Sequence, residues 1–155
     1  MSDRFTIVNP PELEAPRGFA HGLIATAPGR MLFVAGQIGI DDGTVRLAAF
    51  AEASAPRKAD ATYSPSDGDD FIAQFERALE RVLIVVTAAG GRAEHIARMT
   101  VYVTSMERYR DARGALRGVW RRHMGSHYPA MALVAVTALV DPNARVEIEA
   151  TAVLP

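Results

Sequence analysis

From Phe71 to Ala89 one apolar stripe governs the chain: Phe71, Phe75, Ala78, Leu79, Val82, Leu83 and Val86 recur at helical spacing. A helix with such a face must lay it on another element to be stable in water. Ser66 and Asp67 offer caps, Asp69 and Asp70 suit the positive end of the helix, and Gly90 suits a left-handed stop. A second helix opens on a capping-box pattern, Thr104 with Glu107, and runs to His123 or Met124 before Gly125. Short apolar runs flank the two helices. Phe5 to Val8, Phe19 to Thr26, Met31 to Ile38, Met99 to Val103, Ala130 to Leu139 and Val146 to Val153 read as strands. The short Pro28-Gly29-Arg30 link predicts a hairpin of the second and third, and a turn at Asp141-Pro142-Asn143 joins the last two. The order predicts an α+β fold, a mixed sheet with two helices on one face.

The third strand and the Ala130 to Val136 segment are apolar on both faces. An open second face would form a large apolar patch, which soluble monomers rarely carry. A closed homo-oligomer that covers it is therefore expected. Residues 41–69 are rich in Ala, Ser, Asp and Pro and have no sustained period, so they read as an insertion or long loop within a single domain.

The 155 residues suffice for one domain with a real core. A formal net charge of -1 provides no global field for nucleic acid or an anionic membrane. With no cysteine, disulfides, thiolate metal sites and a cysteine nucleophile are excluded. The first residues lack a signal-peptide pattern, and no apolar run reaches spanning length. A cytoplasmic enzyme or binding protein is the expectation.

Six short blocks, in order, resemble the Rid family, also called YjgF. They are Ala35-Gly36-Gln37-Ile38; Gln74-Phe75 with Ala78-Leu79; Ala88-Ala89-Gly90-Gly91; Val101-Tyr102-Val103-Thr104; Tyr128-Pro129-Ala130; and Val146-Glu147-Ile148-Glu149-Ala150. The resemblance spans about Phe19 to Val153, with residues 41–69 out of proportion. It implies a chorismate-mutase-like fold, a homotrimer, and small-molecule clefts between subunits. Active relatives hydrolyse reactive enamines and imines to keto acids and ammonia. No cofactor and no metal are implied.

The resemblance also nominates residues. Glu147 matches the glutamate that orients the attacking water; on strand periodicity it shares a face with Glu149, Thr151 and Val153. Imine hydrolysis needs a proton on the departing nitrogen and a polarised water at carbon, and one semi-buried carboxylate can relay that proton. The plainer reading is a glutamate pair on a solvated strand face. Ala35, Gly36 and Gln37 match backbone that meets the substrate, while close sheet packing also calls for a glycine. Phe19 stands where many relatives close the cleft with tyrosine. Met131 departs from the family: active deaminases place there an arginine that clamps the substrate carboxylate. The missing guanidinium at Met131 disfavours standard 2-aminoacrylate deamination, and Leu133, where many relatives keep a cysteine, makes the expected pocket more apolar. Arg113, near the edge of the second helix's apolar stripe, is a candidate replacement anion ligand or a snorkelling surface arginine.

His21 and His127 are placed near the cleft mouth, His95 in a loop or short helix, and His123 at a helix end that suits the dipole. They show no metal-ligand spacing. Arg110, Arg113, Arg117, Arg121 and Arg122 line one helix; acidic residues on both helices offset them, so a solvated face is the plainer reading, and RNA binding or cleavage, claimed for relatives, is the least favoured of the expectations. A trimeric metabolite-binding protein without chemistry is the competing expectation.

Overall fold

The computed structural model describes residues 29–40 and 71–155, together with the backbone of two short strands nearer the start of the chain. Those two, β1 (Phe5–Val8) and β2 (Gly22–Ala25), pair antiparallel with each other. The other described elements are β3 (Arg30–Ile38), α1 (Phe71–Ala88), β4 (Ile96–Val103), α2 (Met106–Met124), β5 (Ala130–Ala135) and β6 (Val146–Leu154). Four of them form a mixed sheet in the order β3-β6-β4-β5, antiparallel except for the β4–β5 pair. The expected caps Ser66 and Asp67 and the 41–69 segment lie outside the described residues.

Three expectations are corrected. The second and third strands do not form a hairpin: β2 belongs with β1 in its own sheet, and β3 pairs with β6. The last two strands are not neighbours, because β4 lies between them. A strand–helix–strand crossover through α2 sets β5 parallel to β4, and β5 ends at Ala135 rather than Leu139. Helix α2 is capped by Ser105, whose hydroxyl accepts from Arg108 N at 3.2 Å, one residue beyond the expected Thr104.

The α1 stripe is buried as its spacing requires, with Ala78, Leu79, Val82 and Val86 fully inaccessible. Gly90, at φ +84°, ends the helix, with Gly91 N donating to Val86 O at 2.8 Å and Gly90 N to Thr87 O at 2.9 Å. On α2 the buried residues are Ala112, Leu116, Val119, Trp120 and Met124. Both stripes meet Met99, Val101 and Val103 of β4 and Val146, Ile148 and Ala150 of β6 in one core. The opposite face carries no helix from the described residues. There Phe33 is 73% and Met31 60% exposed. Among the described residues no helix is long and apolar enough to cross a membrane.

Candidate functional site

Strand periodicity puts Val146, Ile148 and Ala150 into the core, so Glu147 and Glu149 turn to the helix-free face, both half-buried. Beside them β3 breaks register: Val34 pairs with Ala150 and Gln37 with Ile148, leaving Ala35 and Gly36 opposite Glu149 alone. This is a bulge, a device that re-aims the local backbone. A Cβ added at Gly36 would fall 2.7 Å from Glu147 Cδ and overlap the carboxylate oxygen. The missing side chain is therefore what lets the Glu147 carboxylate lie against the bulge. Gln37 turns its amide back onto Ala35 O at 3.1 Å.

Tyr102, opposite Glu147 in the β4–β6 register, donates its hydroxyl to Glu149 Oε1 at 3.1 Å. That hydrogen bond, with the carboxylate's charge behind it, holds the phenol above its ordinary value. Arg98 approaches the same Glu149 oxygen at 3.9 Å. Glu149 is thus engaged sideways by Tyr102, while Glu147 faces Gly36.

The helices hold this corner from behind. Gln74, 2% exposed, donates from Nε2 to Asn143 O at 3.0 Å and accepts from Arg145 N at 2.7 Å, gripping the chain just before β6. Arg81 donates to Ile38 O at 3.0 Å and Ile40 O at 2.7 Å, gripping the chain just after the bulge. At Gly39 an added Cβ would run into the Gln74 backbone. Gln74 and Tyr102 stand in family-like blocks of the sequence with no task assigned to them there, and Arg81 carries no sequence signal of its role. The available signal was polarity on an apolar stripe: Gln74 falls on the same helix face as Phe71, Ala78 and Leu79.

Met131 and Leu133 lie elsewhere. Met131 pairs with Met99 and Leu133 with Val101, so both point to the helix-covered side and pack partly buried against the core. Glu147 and Gly36 are on the other face, near β3. From β3 to β5 is three strand spacings of about 4.8 Å, roughly 14 Å. One protomer therefore brings Gly36 and Glu147 together but not Met131 or Leu133. Arg113 is exposed and its Nε donates to Arg110 O of its own helix at 3.2 Å; within the protomer it does not join Glu147 either. Phe19 and His21 lie outside the described residues.

The remaining histidines have structural partners. His95 is buried in a 3₁₀ turn, where Nδ1 accepts from Arg92 N at 3.0 Å. His127 Nε2 lies 2.7 Å from Ile96 O, and Trp120 donates to His127 O at 3.0 Å while stacking on Tyr128 at 5.4 Å. These contacts pin the loop that delivers β5. His123 contacts two glutamates of α1.

A mixed four-stranded sheet backed by two helices, with a crossover through α2 and a bulged edge strand, is a chorismate-mutase-like α+β fold. Residues 12–154 match the family described as Endoribonuclease L-PSP, and the chain belongs to this YjgF/Rid family. Protein DfrA of Myxococcus xanthus is 29% identical over 125 residues, covering 81% of this chain and 77% of that protein. Among solved structures, YyfB of Yersinia pestis, described as a Rid-family protein of unknown function, shares the fold. Its TM-score is 0.70 at 24% identity, over 97% of this chain and 99% of its own. TdcF of E. coli, solved with bound serine, gives a TM-score of 0.58 at 26% identity over 91% of each chain.

Proposed function

We propose that three copies of this chain assemble into a ring whose intersubunit clefts bind a small carbonyl or imine metabolite and hydrolyse its C=N bond. The observation that carries this reading is the apposition of the Glu147 carboxylate and the side-chain-free Gly36 bulge on the helix-free, half-open face. The two sheet edges suit a shared site. Gly36 sits on the β3 edge and Met131 and Leu133 on the β5 edge, so a cleft holding all of them needs two protomers. A relative at 26% identity holds serine, which supports a cleft of amino-acid size.

In the proposed reaction Glu147 accepts a proton from water as oxygen attacks the imine carbon, then delivers it to nitrogen. As the resulting carbinolamine collapses, its hydroxyl proton also passes to nitrogen, the C–N bond breaks, a ketone or keto acid forms, and ammonia leaves. Met131 supplies no charge where the family resemblance implies an arginine, so the preferred substrate is larger or more apolar than 2-aminoacrylate. That same neutral position favours a second reading, a cleft that binds a metabolite without turning it over.

Ammonia release from enzymatically generated imines tests both. Turnover by the wild type that falls at least about a hundredfold in Glu147→Gln supports the hydrolase. Absence of turnover together with thermal stabilisation by keto acids supports the binding protein. Failure of both overturns the cleft.

A further inference from the structure

The α1–α2 seam holds a cluster that the cleft does not use. Glu76 and Glu80 stand one turn apart on α1, and His123 reaches them from the last turn of α2. His123 Nε2 lies 2.8 Å from Glu76 Oε1 and 3.6 Å from Glu80 Oε1. The three side chains are 19–25% exposed, open enough for an ion to enter and sheltered enough to hold it. Each stands on a helix whose other face is buried in the core, so the spacing is rigidly set.

The protein's own donors do not satisfy this cluster. One imidazole N–H serves Glu76 at hydrogen-bond distance, which leaves Glu80 at 3.6 Å with no hydrogen bond from the described residues. Arg122 also donates to Glu76, from Nε at 3.2 Å and a terminal nitrogen at 2.8 Å, both to Oε1, the oxygen His123 uses. Oε2 keeps its lone pairs. Two carboxylates and an imidazole thus converge where one proton is shared.

We propose that Glu76, Glu80 and His123 form a three-ligand site for a divalent metal ion of the zinc type, which ties α1 to α2. The donor set is the nitrogen–oxygen mixture that zinc accepts, with a fourth position left to water. Tetrahedral zinc bonds of about 2.0–2.2 Å put neighbouring ligand atoms about 3.4 Å apart. Here the ligand atoms all lie within 4.8 Å of one another, so small rotamer adjustments close the shell. Arg122, 58% exposed, stays on Oε1 or swings to solvent. Two carboxylates balance one divalent charge, with the Arg122 and Arg77 guanidiniums adding positive charge at the rim of the site.

The test uses the full chain stripped with chelator and titrated calorimetrically with zinc chloride, with Co²⁺ absorption as a second readout. One ion per protomer is expected, with a d–d band from nitrogen and oxygen ligands and a rise in Tm with zinc. His123→Ala and Glu80→Gln should each weaken binding at least about tenfold, since even outer-shell changes at metal sites cost that much. Glu80→Gln removes only a buried charge and keeps the fold testable. No saturable binding by the wild type, or full affinity retained in either variant, overturns the assignment.

Discussion

The Glu147 carboxylate lies in the space that a side chain at Gly36 would fill. The conflict created by Gly36→Ala is therefore with the far end of a flexible side chain. Glu147 can rotate away at a cost under about 1.5 kcal/mol, yet the carboxylate leaves the bulge. Chemical denaturation should show little loss of stability for this variant, while affinity for cleft ligands falls at least about tenfold. Gly39→Ala makes the contrast. Its Cβ meets the Gln74 backbone, which cannot rotate aside, and stability should drop by about 1–3 kcal/mol or more.

Gln74 joins α1 to the start of β6 through Arg145 N and Asn143 O. Gln74→Leu keeps the volume but removes both hydrogen bonds. Urea unfolding should show a loss of about 1–3 kcal/mol. Ligand affinity should fall with it, because the chain gripped by Gln74 delivers Glu147.

Phe33 and Met31 expose their rings and thioethers on the helix-free face at 73% and 60%. Burying each large apolar side chain contributes about 1.5–3 kcal/mol, so this face favours association. Light scattering should report a trimer for the wild type. Phe33→Asp should shift it to monomer and abolish ligand binding together. A wild-type monomer that still binds ligand would contradict the shared cleft.

Met131 is a neutral residue on the β5 edge. If that edge faces an anionic substrate in the assembly, Met131→Arg should tighten carboxylate ligands about tenfold or more. Isothermal titration with keto acids checks this; unchanged affinity would place the anion elsewhere.

Glu76 and Glu80 respond to pH in opposite senses in metal-free buffer. Burial pushes the Glu76 carboxyl up, but hydrogen bonds from His123 and Arg122 outweigh it and hold the group below the usual range. Its contribution is present above the unfolded carboxyl value, about 4.3, and is lost as pH falls through the lower folded one. For Glu80, burial leads and the neighbouring Glu76 charge adds to it; His123, Arg77 and Arg122 pull the other way but are outweighed, so the carboxyl is raised. Its ionisation destabilises the fold as pH rises through that raised value. At neutral pH Glu76→Gln should therefore lower stability and Glu80→Gln should raise it, each by no more than about 1 kcal/mol, with Tm moving in the same sense. Thermal melts at pH 7 and pH 4 check the signs.

The amino-acid sequence alone determined the helices, the two faces of β6 and the family resemblance. These depend on local periodicity: the α1 stripe, the alternation of Glu147 and Glu149 with Val146 and Ile148, and the Gly90 stop are all legible within one element. Partner choice was not legible. The crossover through α2 sets β5 beside β4, while β3 takes the distant β6 and not β2 as its partner, so the short Pro28-Gly29-Arg30 link is not a hairpin despite its length. The close approach of Gly36 to Glu147 joins residues 111 positions apart, and the Glu76, Glu80 and His123 cluster joins two helices. No periodicity encodes such meetings. They arise only once the sheet order and helix packing set which side chains share a volume.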